Sequence, residues 1–337
     1  MRRFLAPPPP GELPRRPGPP SFSVIIAAYQ VADLVGDSVE SALAQTLAPR
    51  EVVVCDDGST DDIAKALYPF RDRITLIRKE NGGEASAKNV AARAATSEFV
   101  VVLDADDTFL PQRLEALSEF IRERPDLDIL TTDAYLELNG QIVRRCYTEG
   151  FRFVVDDQRS GILGNNFIFG QAAVRRNRLL SVGGFDESIQ FSTDWECWIR
   201  MILAGSRAGL VDEPLAHYRL RPGSLSSQRA RMFAGFVQTL EKTAGAPGLS
   251  SAESEVIKQS LARNQHRLVL AEAREALITG SPHARRRALA VVAGSGFGVG
   301  TRLKALVAAA SPAMAGRMLG GREQETTGGV LLPMPSA

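Results

Sequence analysis

The stretch VVVCDDGSTDD, residues 52–62, runs four apolar residues into a segment holding four carboxylates. An apolar run without polar alternation reads as a strand buried on both faces. Gly58 marks a turn, and Asp61 and Asp62 then read as first-turn acids favouring the dipole of a following helix. Asp56 and Asp57 have no such local use. They stand at a strand end, and open parallel sheets bind ligands beyond the C-terminal ends of their strands.

The same pattern extends in both directions. FSVIIAAY (22–29), RITLIR (73–78) and EFVVVLDA (98–105) are strand-like. Asp33–Gln45, DDIAKALYPF (61–70) and EASAKNVAARAA (84–95) carry helical spacing, and PQRLEALSEFIRER (111–124) adds a helix with Pro111 suited to its first turn. This alternation predicts an α/β domain with a mostly parallel central sheet flanked by helices. Past Asp126 the rhythm changes. LDILTTDAYLEL (127–138) and QIVRRCYTE (141–149) flank Asn139-Gly140, a hairpin signal. An irregular stretch with GILGNNFIFG (161–170) follows, then a helix at 194–204 and a strand near 207–211. From about Met232 the chain reads as an α-helical extension, where Ser250 and Glu253 form a capping box before a helix to about Thr279.

The 337 residues allow one large or two modest domains. Residues 6–20 hold 8 of the 19 prolines, so 1–20 is expected to be a disordered arm. The α/β domain is expected over 21–228, with halves at 21–107 and 108–228, then helices over 229–320 and a disordered tail over 321–337. The net charge of +1 conceals a balance of +7 over residues 229–325 against −6 elsewhere. Cys55, Cys146 and Cys197 are far apart and form no CxxC pair, which argues against a zinc site or disulfide scaffold and fits a reducing compartment. No apolar run approaches the ~18 residues of a membrane span. Only a small apolar patch follows Arg2 and Arg3, so no secretory signal is expected and cytoplasm is the default. The basic tail, with Arg285–Arg287 and TRLKALVAAA (301–310), is either a helical cap or a peripheral contact with the inner face of a membrane. It lacks interleaved aromatics, so nucleic acid is not favoured.

Further polar clusters fall at strand ends: Asn81-Gly82-Gly83 after the third strand and Asp104-Ala105-Asp106-Asp107 after the fourth. A carboxylate rim holds phosphates once Mg²⁺ or Mn²⁺ bridges them, and Asp104 and Asp106 have the spacing for it. In GGFDESIQFSTDWECWIR (183–200), either Asp194 or Thr193 is a helix cap with Trp195 and Trp198 in the core, or Asp194 is a general base aimed into the crevice.

Six segments together resemble the family 2 glycosyltransferases over about residues 21–226. They are SVIIAAYQ, VVVCDDGSTDD, ENGGEASAKN (80–89), VVLDADDTFLPQRL (100–113), GGFDE with TDWECWIR, and HYRLRPGSLS (217–226). The resemblance implies the GT-A fold and transfer of a sugar, with inversion, from a nucleotide-diphospho-sugar, UDP foremost. The acceptor would be a saccharide, lipid-linked or other hydroxyl in cell-surface polysaccharide or glycoconjugate assembly. It implies that Ala27, Tyr29, Asp56, Asp57, Lys88 and Asp104 bind the nucleotide, with Asp57 accepting from the pyrimidine N3–H. Asp106 with Asp104 would ligate Mg²⁺ or Mn²⁺, and Asp194 would deprotonate the acceptor. Asn81, Trp195, Arg219 and Arg221 fall on the diphosphate or acceptor side. The chain departs from the family pattern at Ala27 (often Pro), Gln30 (often Asn), Thr193 (usually Glu) and Arg221 (commonly His). His217 does not match that last position and reads as a strand-end residue with ordinary contacts.

Other readings stay open. One is a non-catalytic nucleotide-sugar-binding protein of the same fold. Another is a haloacid-dehalogenase-like phosphotransferase with Asp104 as nucleophile and Asp106 as acid/base, although that motif normally lies on a first strand. GSGFGVG (294–300) lacks the βαβ surroundings of a dinucleotide site.

Overall fold

The computed structural model describes residues 2–13, 18–148, 151–221, 228–294 and 296–327. Two compact units divide between Arg219 and Leu220, a little before the border expected at 228. The expected tail beyond 327, residues 14–17 of the arm and residues 222–226 of the closing segment lie outside the described residues.

In the first unit, β2 (Phe22–Ala28), β3 (Glu51–Asp56), β4 (Thr75–Arg78) and β5 (Phe99–Asp104) are parallel in the order β4-β3-β2-β5. The register sets Ala28 against Asp56 and Ala27 against Asp104, so the polar ends of three strands share one edge. Helices α1 (Val35–Leu43), α2 (Ile63–Leu67), α3 (Glu84–Ala94) and α4 (Arg113–Glu123) follow in alternation. The alanines of α3 let it lie close on β2 and β3, and its buried face also carries Lys88 and Asn89. Helix α4 begins at Arg113 with Gln112 as its cap, so Pro111 precedes the helix. Asp62 caps α2 by accepting from Lys65 N, and Asp61 reaches back to Ala32 N at 2.7 Å. Neither is a first-turn acid.

Beyond β5 the sheet turns antiparallel. β9 (Ala173–Arg175) pairs with β5 and with β7 (Ile129–Leu138), which carries the hairpin partner β8 (Gln141–Arg145). Asn139 and Gly140 take φ of 51° and 76°, as a two-residue hairpin turn requires. Three-residue β9 lay inside the stretch read as irregular. β10 (Ala208–Leu220) is far longer than expected. It continues through Pro214 by changing partners. Leu210 and Val211 pair with β1 (Phe4–Leu5), and Ala216 and His217 with β6 (Thr108–Phe109). Pro214 lies between these two pairings, and β10 is also hydrogen-bonded to β7. The start of the arm is therefore a strand and not disordered. Phe4 stacks on Phe120 with centroids 4.4 Å apart, and Arg2 pairs with Glu119 at 2.7 Å. Helices α5 (Gln158–Gly164), α6 (Arg176–Ser181) and α7 (Thr193–Leu203) complete the unit.

The second unit holds α8 (Arg229–Ala244), α9 (Ser251–Ile278), α10 (Ala284–Ala293), α11 (Val299–Ala310) and α12 (Pro312–Thr327), so residues 321–327 of the expected tail are helical. α9 packs against α8, α10 and α12. Gly316 admits the α12 crossing, since a Cβ there would come 2.1 Å from the Leu277 carbonyl oxygen. GSGFGVG links α10 to α11, so no strand leads into it. Among the described residues no helix is long and apolar enough to cross a membrane. Ser250 and Glu253 form both bonds of the capping box, at 3.2 and 2.8 Å. Ser250→Ala should cost about 1 kcal/mol, read from the urea midpoint of this unit's transition. An unmoved midpoint would contradict the cap.

Candidate active site

The end of β3 is held by its own acids. Asp56 Oδ1 accepts from Ser59 N at 2.9 Å and closes the Gly58 turn. Asp57, 2% exposed, binds the loop between β4 and α3. Its Oδ1 accepts from Lys79 Nζ at 2.7 Å and Gly82 N at 3.0 Å, and its Oδ2 from Gly83 N at 2.7 Å and Asn81 Nδ2 at 3.2 Å. Four donors fill the roughly four lone-pair sites of a carboxylate. Asp57 and Asn81 thus organise this loop, and in this conformation Asp57 has no capacity left for a base N–H. Gln30, in the left-handed region at φ 55°, clasps the neighbouring loop. Its N donates to Ser59 Oγ at 3.2 Å and its Nε2 to Thr60 Oγ1 at 2.6 Å. Asn favours that backbone region more than Gln does. Tyr29 stands beside this clasp, half exposed.

The D-x-D turn at the end of β5 meets α3. The buried Lys88 ammonium pairs with Asp104 Oδ1 at 3.2 Å and with Glu84 one helical turn back. Burial works against this charge, but Asp104 and Glu84 outweigh it and hold Lys88 above its ordinary pKa. Asp194 also contributes to that field. Asp106 is half-buried. Asp107, fully buried, was not singled out by sequence reasoning. It accepts from Arg219 N at 2.7 Å and from Gln171 Nε2. Burial, with the charges of Asp106 and Asp104, pushes its carboxyl well above the usual range. It joins the D-x-D turn to β10 and to the segment before β9. The buried Arg113 donates to the Gln171 carbonyl and to Thr132 Oγ1, and burial pushes its guanidinium down to about 9. These links join residues distant in sequence, so no local pattern announces them.

Asp194, in the first turn of α7, is placed by three quoted motifs acting as one. Asn89 of α3 exchanges two bonds with Phe185, Nδ2 to O at 2.7 Å and N to Oδ1 at 2.8 Å. Gly184, at φ 75°, passes so near that a Cβ would come 2.3 Å from Asn89 Oδ1. Arg200, at the far end of α7, reaches back to the Gly184 carbonyl at 2.6 Å and pairs with Glu196. Asp194 Oδ2 accepts from Asn166 Nδ2 at 3.1 Å, and a Cβ on Gly170 would come 3.0 Å from the same oxygen. Burial raises the Asp194 pKa, partly offset by Lys88 and the Trp195 backbone N–H. Trp195 is not on the acceptor side in this conformation. It is 1% exposed and donates Nε1–H to the Ile162 carbonyl at 2.7 Å, so it packs the core.

The remaining residues divide. Ala27 lies in register with Asp104. The Arg219 guanidinium pairs with Asp37 at 3.0 Å, while its backbone serves Asp107. Arg221 falls in the second unit, at the edge of the described residues. His217 Nδ1 lies 2.9 Å from Glu137 Oε2. A polar cavity of about 250 Å³ lined by Ser97, Glu98 and Arg175–Asn177 lies at the other end of β5, away from the acids. Asp104 ends the fourth strand of the parallel half, not the first, which opposes the phosphotransferase reading.

Among the described residues no three His, Cys, Asp or Glu side chains are grouped to hold a metal. A Mg²⁺-type ion needs only one or two carboxylates when phosphates and water complete its shell. The half-buried Asp104 and Asp106 fit that smaller demand.

Gly184→Ala should cost more stability than Gly183→Ala. Both glycines have positive φ, but only at 184 does the new Cβ strike Asn89; at 183 it meets nothing within 4 Å. Thermal unfolding of the two variants reads the difference, and equal losses would contradict the Asn89 clasp.

The chain has relatives among known proteins. The chain resembles chondroitin synthase of Pasteurella multocida (strain Pm70), at 30% identity over 190 residues, 55% of this chain. The match spans only 19% of that protein. A putative teichuronic acid biosynthesis glycosyltransferase of Bacillus subtilis, TuaG, is 29% identical over 214 residues, 62% of this chain and 83% of the other. Two solved structures are alike in fold. S. aureus TarS 1–349 in complex with UDP-GlcNAc has a TM-score of 0.58 at 19% identity, covering 90% of this chain and 92% of that one. The mannosyltransferase PcManGT from Pyrobaculum calidifontis, in complex with GDP-Man and Mn²⁺, has a TM-score of 0.57 at 22% identity, covering 90% and 84%. The shared fold is GT-A, a mostly parallel sheet flanked by helices. Residues 23–182, a little under half of the chain, match the family model for glycosyl transferase family 2, and it is this segment that is similar to the family.

Proposed function

We propose that this chain transfers a sugar from a UDP-sugar to an acceptor hydroxyl, with inversion, in the assembly of a cell-surface polysaccharide or glycoconjugate. The observation that carries the reading is Lys88. It pairs with Asp104 of the D-x-D turn and its charge also acts on Asp194, so one buried ammonium serves both acidic centres. The relatives named chondroitin synthase and teichuronic acid glycosyltransferase support a polysaccharide setting, and the neighbour holding UDP-GlcNAc supports the donor class.

The chemistry follows from the groups in place. Asp194 takes the proton of the acceptor hydroxyl. The oxygen attacks the anomeric carbon from the face opposite the diphosphate, the bond to the diphosphate breaks, and the nucleoside diphosphate departs with its electron pair. A displacement of this kind inverts the anomeric centre and forms no glycosyl-enzyme. Asp104 and Asp106 would hold a Mg²⁺ or Mn²⁺ ion, which supplies charge stabilisation to the departing diphosphate when bound. Tyr29 and Ala27 border the nucleotide side. Asn166 orients Asp194, and Gly170 leaves the space beside it that a larger residue would fill.

Release of nucleoside diphosphate from a panel of nucleotide-sugars, with and without Mn²⁺, tests this reading. Asp194→Asn should lower transfer by roughly 10²–10⁴-fold and leave donor binding intact. The raised pKa of Asp194 adds a pH signature. The base must be deprotonated, so the rate should fall as pH drops through a value higher than that of an ordinary aspartate. Undiminished turnover in Asp194→Asn would reject the base assignment, and no turnover of any donor by the native chain would favour the non-catalytic reading.

A further inference from the structure

The C-terminal helices carry a surface that the transfer reaction does not use. α11 turns Val299, Leu303, Leu306 and Val307 outward, and α12 adds Met314 and Met318. Val299, Leu303, Val307 and Met314 each leave 60% or more of their surface exposed. On α11 the four apolar residues follow i, i+4, i+7 and i+8 spacing, which is one stripe of a helix. The buried residue of that helix, Ala309, falls outside the stripe. At about 100° per residue, Lys304 falls on one flank, where an exposed lysine lays its stem along apolar surface and lifts its charge to the rim. Arg302, on the other flank, donates instead to the Gly294 carbonyl at 2.7 Å.

Charge over the same region is one-sided. Between Glu275 and Glu323 the chain has no Asp or Glu and seven Lys or Arg. Arg285, Arg286, Lys304 and Arg317 are exposed. A second copy of this surface would bring the same positive charge against it and repel. A layer that is apolar inside and anionic at its face matches both features at once. α11 has 12 residues, too few to span a bilayer, so it would lie in the plane of the interface.

We infer that α11 and the start of α12 form a docking surface for an anionic lipid leaflet. The inference goes beyond the transferase reading and stands without it, because lipid binding is measured with no donor or acceptor present. The full chain is floated with vesicles of phosphatidylcholine alone or mixed with phosphatidylglycerol, at low and high salt. Binding is expected to the anionic vesicles only and to weaken with salt. Leu303→Asp/Val307→Asp should weaken it at least about tenfold with the melting temperature unchanged, since both side chains are exposed. Lys304→Glu/Arg317→Glu should weaken it and reduce its salt dependence. Absence of binding to anionic vesicles at low salt overturns the inference, as does equal binding by the aspartate variant. A lipid-free dimer that the aspartate variant converts to monomer also overturns it, by giving the surface to a second copy.

Discussion

A buried ammonium group is the constraint on which the site depends. Lys88 lies inside α3, where its charge is costly unless carboxylates surround it. Asp104 comes from β5, Glu84 from the preceding helical turn, and the field of Asp194 comes from α7. Removing the ammonium would leave acids close together at a sheet edge with reduced compensation. Its position follows from elementary geometry. The alanines around Lys88 bring α3 down onto β2 and β3, and parallel register brings the polar end of β5 level with that of β2.

The other acids at this edge divide their work. Asp56 and Asp57 spend their oxygens on loop backbone and on Lys79, which keeps the rim in one shape. Asp107 spends its oxygens on Arg219 N and Gln171, tying the D-x-D turn to β10 and to the segment entering β9. Asp104, Asp106 and Asp194 are each partly accessible. Saturated carboxylates build the crevice, and the partly accessible ones are available to a ligand. A loop already satisfied before substrate arrives has little ordering left to do on binding, a general route to affinity.

Much of this was legible in the sequence. Apolar strands alternating with helices gave the parallel half, and Asn139-Gly140 gave the hairpin, because both signals are local. The acids at strand ends were also legible, because topology alone sends them to one edge. What escaped depends on contacts between distant residues. The partner of β9 cannot be read from three residues, and the path of β10 through Pro214 depends on β1 and β6 meeting it on either side. The strand at Phe4–Leu5 was hidden beside a proline-rich run whose composition argued for disorder. The strand-end pattern does not disclose that Gly82 N and Gly83 N donate to Asp57, because that loop lies some twenty-five residues on. For Trp195 the helical segment suggests the core and the resemblance the acceptor side; its indole is buried and donates to the Ile162 carbonyl.

The account's central claim is that Lys88 couples the donor-side and acceptor-side acids. The most direct measurement is the pH profile of nucleotide-sugar transfer for the native chain and Lys88→Gln. Lys88 lowers the pKa of Asp194 against the effect of burial. Losing that charge should therefore move the acid limb of the profile to higher pH, beyond any general loss of rate. An acid limb that stays in place would contradict the coupling.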